Sequence, residues 1–152
     1  MEHHLAFHIA TYTEDDSTFP KPLNGNYNYW TALIKYYLSK ADTVDIHCWN
    51  EEVETIEEIA LLHKQTMNIT YEENMTIFQG NVTSSLKEYL LYSNLNICGG
   101  LKWFAVHLDK GEESVFQSGH WGTEFFIPDV LEEEIAVIKK IVPDETEFHP
   151  FS

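Results

Sequence analysis

Between Asp42 and His63 the chain changes its hydrophobic period, and that change limits the architectures open to it. Along DTVDIHCWN, Val44, Ile46 and Cys48 point one way while Asp45, His47 and Trp49 point the other. This is the period of a half-buried strand. In the following EEVETIEEIALLH, Val53, Ile56, Ile59 and Ala60 recur at helical spacing, so they form a stripe that must lie back on a sheet. Asn50 is placed to cap this helix, and Glu51, Glu52, Glu54, Glu57 and Glu58 crowd its first turns, where negative charge suits the positive end of the helix dipole. A strand that runs directly into such a helix demands a layered fold.

The rest of the chain extends the pattern. Leu5, Phe7 and Ile9 alternate with small and polar neighbours, which predicts a first strand over residues 3–12. Residues 14–28 read as a loop crossing a sheet edge, with Pro20, Pro22 and Gly25 close together. Trp30, Leu33, Ile34, Tyr37 and Leu38 give the cleanest helical stripe, over about Asn26–Lys40. This β-α-β-α opening predicts two strands in one sheet, parallel if the crossover is right-handed.

The second half reads as antiparallel hairpins. Residues 66–71 and 75–79 flank Glu72-Glu73-Asn74. Ser85 and Glu88 match a capping box for a short helix reaching about Leu95. Strands are expected over 103–108, 114–117 and 124–127, and a last helix is expected from Pro128-Asp129, with Leu131, Ile135, Ile138 and Val142 inward. The expected fold is α+β, with a mixed β-sheet and about four helices in one domain over residues 1–152. The acidic stretch 144–152 reads as a flexible tail.

Charge sets the class of partner. Nine basic residues, all lysine, face 25 acids, for a net charge of −16. Arginine, the preferred bidentate partner of phosphate, is absent. This argues against nucleic acid, nucleotides and anionic membranes. The excess is uneven: residues 42–80 hold nine acids and one lysine, and residues 119–152 hold eight acids and two lysines. The amino terminus lacks the basic and apolar regions of a secretion signal, and no stretch approaches a membrane span, so a cytoplasmic protein is expected, with Cys48 and Cys98 as free buried thiols.

No motif encodes catalysis or a cofactor. There is no phosphate-binding glycine loop, and Cys48 and His47 are strand neighbours pointing to opposite faces, so this His does not activate this Cys. His8, His47 and His107 each oppose the apolar side of a strand, which makes them the metal-ligand candidates, with Asp45 nearby. No two are held by local spacing, so no metal is expected.

What remains is a recognition surface in which acids are interleaved with aromatic residues: Asp45, Trp49, Glu51, Glu54, Glu57, Glu58, Glu72, Glu73, Trp121 and Glu124. The function this implies is binding of a basic protein, in its most specific form an immunity- or antitoxin-type inhibitor of a nuclease-like toxin. A metal-dependent or acid/base enzyme using the histidines, and an oligomerising structural or regulatory subunit, are the alternatives. The charge argument has a direct check: fluorescence polarisation with DNA and RNA at low salt is expected to show no binding, and salt-sensitive micromolar affinity would refute it.

Overall fold

A computed structural model describes residues 3–12, 21–23, 25–96 and 99–151. In chain order the elements are β1 (His3–His8), β2 (Thr11–Tyr12), β3 (Lys21–Pro22), α1 (Asn28–Leu38), β4 (Thr43–Trp49), α2 (Val53–His63) and β5 (Met67–Tyr71). They continue with β6 (Met75–Asn81), α3 (Ser84–Tyr92), β7 (Ala105–Lys110), β8 (Glu113–Gly119), β9 (Glu124–Val130), α4 (Glu132–Ile141) and β10 (Glu147–Phe151). Eight strands form one sheet in the order β10-β1-β9-β8-β7-β4-β6-β5, while β2 and β3 pair separately. No helix among the described residues is long and apolar enough to cross a membrane.

The fold is α+β and forms a single compact domain, as expected. The expected mixed sheet is corrected, since each described pairing is antiparallel. β1 and β4 share the sheet and run in the same direction, but β9, β8 and β7 lie between them. Later hairpin strands fill the gap that a simple parallel crossover would have closed.

Binary patterning explains the layers. Leu5 and Phe7 of β1, Val44, Ile46 and Cys48 of β4, Phe78 of β6, Val106 and Leu108 of β7, Phe116 of β8 and Phe125 and Ile127 of β9 lie in one buried cluster with the inner faces of the four helices. The α1 stripe is buried as expected, and Trp30 stacks obliquely on Trp103 with ring centroids 5.9 Å apart. Both indoles are fully enclosed, and Trp30 Nε1 donates to the Leu90 carbonyl at 3.3 Å.

Several boundaries move for identifiable reasons. Asn50 does not cap α2; its side chain accepts from Thr76 Oγ1 and donates to the Glu73 carbonyl, fastening the end of β4 to the β5–β6 hairpin. Val53 is 52% exposed, and the inner face of α2 runs through Ile56, Ile59, Ala60 and His63 instead. Thr83, not Ser85, caps α3, its Oγ1 accepting from the Leu86 amide at 3.1 Å. β9 extends through Pro128-Asp129, so α4 begins at Glu132 and Leu131 is left 44% exposed. The carboxy-terminal stretch, read above as a flexible tail, contributes β10, which pairs with β1. Most of the 14–28 loop and Cys98 fall outside the described residues.

Two strand glycines separate packing from patterning. A Cβ on Gly80 would lie 2.5 Å from the Thr66 carbonyl oxygen and 3.2 Å from Met67 Cγ, whereas one on Gly119 would meet nothing within 4 Å. Gly80→Ala is therefore expected to cost about 1–3 kcal/mol as β5 is forced outward. Gly119→Ala should be neutral or stabilising by about 0.5–1 kcal/mol, since glycine is entropically poor in a strand. Urea denaturation of both variants measures the difference.

Candidate functional site

The helices cover one face of the sheet and leave the other partly open. Register places His149, Ala6, Phe126, Gln117, His107, Asp45, Gln79 and Asn68 opposite one another in a row crossing all eight strands. Each is half-buried or exposed, so the row belongs to the uncovered side. Near one end a shallow open depression of about 380 Å³ is lined by Ala6, His8, His107, Gln117, Phe126 and His149, among others.

Two titratable clusters lie on this face. At its centre His47 and His107, on the adjacent strands β4 and β7, bring their ring centroids to 4.7 Å. One ring nitrogen of each and an Asp45 carboxylate oxygen all lie within 4.8 Å of one another. Burial holds the pKa of both histidines below the ordinary value; the Asp45 charge opposes this, and His47 adds to the depression at His107. Asp45 Oδ1 is enclosed and has no hydrogen-bond partner. The second cluster is peripheral: His8 lies 3.3 Å from Glu147 and stacks with His149, centroids 4.9 Å apart. The structure thus brings His47, His107 and Asp45 together and sends His8 to a different group. Three intervening strands separate β1 from β4.

An aromatic rim stands at the end of β4. Trp49 packs on Phe104 at 4.9 Å, Phe104 meets Trp121 edge-on at 5.0 Å, and His120 lies 5.6 Å from Trp121. The Glu52 carboxylate ties the rim to α2, accepting from the Trp49 amide at 3.0 Å and from Trp121 Nε1 at 3.1 Å. Burial raises the Glu52 pKa, and these two hydrogen bonds oppose the rise. The β8–β9 turn places two consecutive non-glycine residues, His120 and Trp121, in the left-handed region at φ of 51° and 55°. A tryptophan is a poor fit to that conformation. The Trp121 amide donates to the Phe104 carbonyl at 3.0 Å, and the Thr123 hydroxyl donates to the His120 carbonyl at 2.8 Å, which fixes the strained turn.

The predicted acidic residues divide between this rim and the helix. The bond from Asn50 to Glu73 sets the hairpin tip, with exposed Glu72 and Glu73, beside the start of α2, where Glu51 and Glu54 are exposed. Glu72 reaches electrostatically to His47. Glu124 is exposed and lies 3.8 Å from His120. Trp49 and Trp121 are half-buried against Phe104 and so are part wall, part surface. Glu57 lies farther along α2, exposed, on the side that also shows Leu61, 85% exposed. Glu58 is committed inward: both its oxygens lie within 2.9 Å of Lys102 Nζ, and one accepts from the Tyr89 hydroxyl at 3.0 Å.

Gln117, Phe126 and His149 were not singled out from the sequence, because only cross-strand register brings them to this face, and Phe104, just before β7, reaches the rim through its ring contacts with Trp49 and Trp121. The glycines flanking His120-Trp121 were a visible sign of the unusual turn. Cys48 offers no nucleophile, since burial pushes its thiol up to about 12. No family model, curated protein or solved structure matches the chain.

The left-handed turn carries its own check. Backbone strain at a non-glycine residue in this region costs about 1–2 kcal/mol, part of which glycine's greater unfolded-state freedom offsets. His120→Gly is expected to raise the urea midpoint, with a net gain of up to about 1 kcal/mol. A loss of stability would show that the His120 contacts outweigh the strain.

Proposed function

We propose that this protein is a small binding module for a basic protein partner, of the immunity or antitoxin type, neutralising a nuclease-like toxin in the cytosol. The observation that carries the reading is the rim, where Glu52 bridges Trp49 and Trp121 beside Phe104, and exposed Glu51, Glu54, Glu72 and Glu73 lie on the adjoining start of α2 and the hairpin tip that Asn50 ties to it. Flat aromatic walls give a partner apolar area at little entropic cost, and adjoining carboxylates steer a cationic surface into contact. Such a surface resembles the charge that a nuclease reads along its substrate, so occupying it would block the toxin by mimicry. The strained turn at His120-Trp121 supports the same reading, since unfavourable backbone geometry is retained mostly where function requires it. The surplus charge also fits, because residues 42–80 hold one lysine against nine acids, of which Glu58 is paired with Lys102.

The test uses the product of the reading frame adjacent to this protein's own gene. Co-expression is expected to relieve growth inhibition by that product and to yield a stoichiometric complex. Reversing Glu51, Glu54, Glu72 and Glu73 to Lys should slow association at least tenfold and flatten its salt dependence, because exposed rim charges act mainly on the on-rate. Reversing Glu58 is excluded from the set, since it would break the Lys102 pair and the Tyr89 hydrogen bond. A complex whose association rate and salt slope survive the fourfold reversal would remove the rim from the interface. Failure to protect growth or to form a complex would refute the assignment to that partner.

A further inference from the structure

We propose that Asp45, His47 and His107 form a binding site for a single divalent transition-metal ion of the zinc class, with its remaining coordination position facing the open side of the sheet. The ligand set is chemically complete: two imidazoles and one carboxylate are the inventory of a three-ligand zinc centre that keeps an exchangeable position. Neighbouring β-strands hold it. Register sets Asp45 directly opposite His107, and His47 is two residues along the same strand as Asp45, so all three project from one side of the sheet. No expected spacing motif is needed, because the hydrogen-bonded ladder supplies the rigidity that a helical His pair has in other sites.

The candidate ligand atoms lie within 4.8 Å of one another. With bonds of about 2.0–2.1 Å, tetrahedral coordination places ligand atoms roughly 3.3 Å apart, a contraction within reach of side-chain rotation alone. An independent sign is Asp45 Oδ1, which is enclosed and has no hydrogen-bond partner. A buried carboxylate oxygen without a donor is costly, and an ion at this point would satisfy it.

The His8–Glu147–His149 cluster is the natural comparator. It has the same chemistry, but all three residues are exposed and its carboxylate already contacts His8 at 3.3 Å. Its members come from the edge strand β10 and its neighbour β1, rather than from two interior strands.

The test is titration of the untagged, chelator-treated protein with zinc against a competing chromophoric chelator. One equivalent is expected to bind with micromolar or tighter affinity, and cobalt should give visible absorption bands typical of a site with nitrogen and oxygen donors. Asp45→Asn and His107→Ala should each weaken zinc binding at least tenfold, while His8→Ala/His149→Ala should leave it unchanged. Thermal melts decide whether a variant is folded, and zinc should raise the melting temperature of the unmodified protein but not of Asp45→Asn. Absence of zinc binding by the unmodified protein at tens of micromolar free ion would overturn the proposal. So would full affinity in a His47→Ala/His107→Ala variant, or loss confined to the His8/His149 variant.

Discussion

The register of β4 is the constraint on which the rest of the molecule depends. All seven of its residues pair with β6, and five of them pair with β7, without a bulge. Val44, Ile46 and Cys48 are fully enclosed, while Asp45, His47 and Trp49 line the opposite face. A one-residue slip would exchange the two sets. Each aliphatic side chain brought out of the core forfeits about 1.5–3 kcal/mol, and the carboxylate driven into it would lack a partner. The same pleat that builds the core therefore aims the titratable residues, and no separate device is needed to position them.

Electrostatics works against compactness. Among the described residues Lys102 serves Glu58, and Lys40 lies 3.7 Å from Glu134. In α4 the charges follow the dipole, with Glu132, Glu133 and Glu134 in the first turn and Lys139 and Lys140 in the last. In α2 only Glu54 lies in the first turn, and exposed Glu57 gains nothing from the dipole. Self-repulsion of this kind lowers stability, and the large aromatic core around Trp30, Trp103 and Phe116 offsets it. A chain selected only for stability would not place nine acids and one lysine over residues 42–80.

How much of this was legible in the sequence follows from the range of the forces involved. Periodicity is local, so β4, the α1 stripe, the β5–β6 hairpin and the α+β class could be read directly. Caps depend on one or two dihedral angles, and Asn50 and Ser85 both resembled caps while the backbone used Thr83 for α3 and no side-chain cap for α2. Strand order was not legible. It required β7, β8 and β9 to insert between β1 and β4, which no local pattern records. The histidines show the consequence: His8, His47 and His107 were equivalent by alternation, yet strand order joined only the latter two. The 147–151 strand was missed because an acidic, proline-containing terminus reads as tail, and pairing with β1 supplied the order that composition withheld.

The rim and the central cluster hold negative charge at two depths, and this decides how they would interact. The rim acids are exposed, so water and salt screen them and they govern encounter more than final affinity. Asp45 Oδ1 is enclosed, so a charge placed beside it is screened far less. A divalent ion there would cancel only two of sixteen net negative charges, which leaves long-range attraction for a basic partner nearly intact. The two sites meet at Glu72, which belongs to the exposed hairpin tip and whose charge favours protonation of His47. A cationic partner seated on Glu72 would reduce the attraction of the cluster for a cation. Linkage then requires that a bound ion weaken that partner's docking by the same factor. The coupling rests on the charge of Glu72 acting on His47 and needs no movement of the sheet.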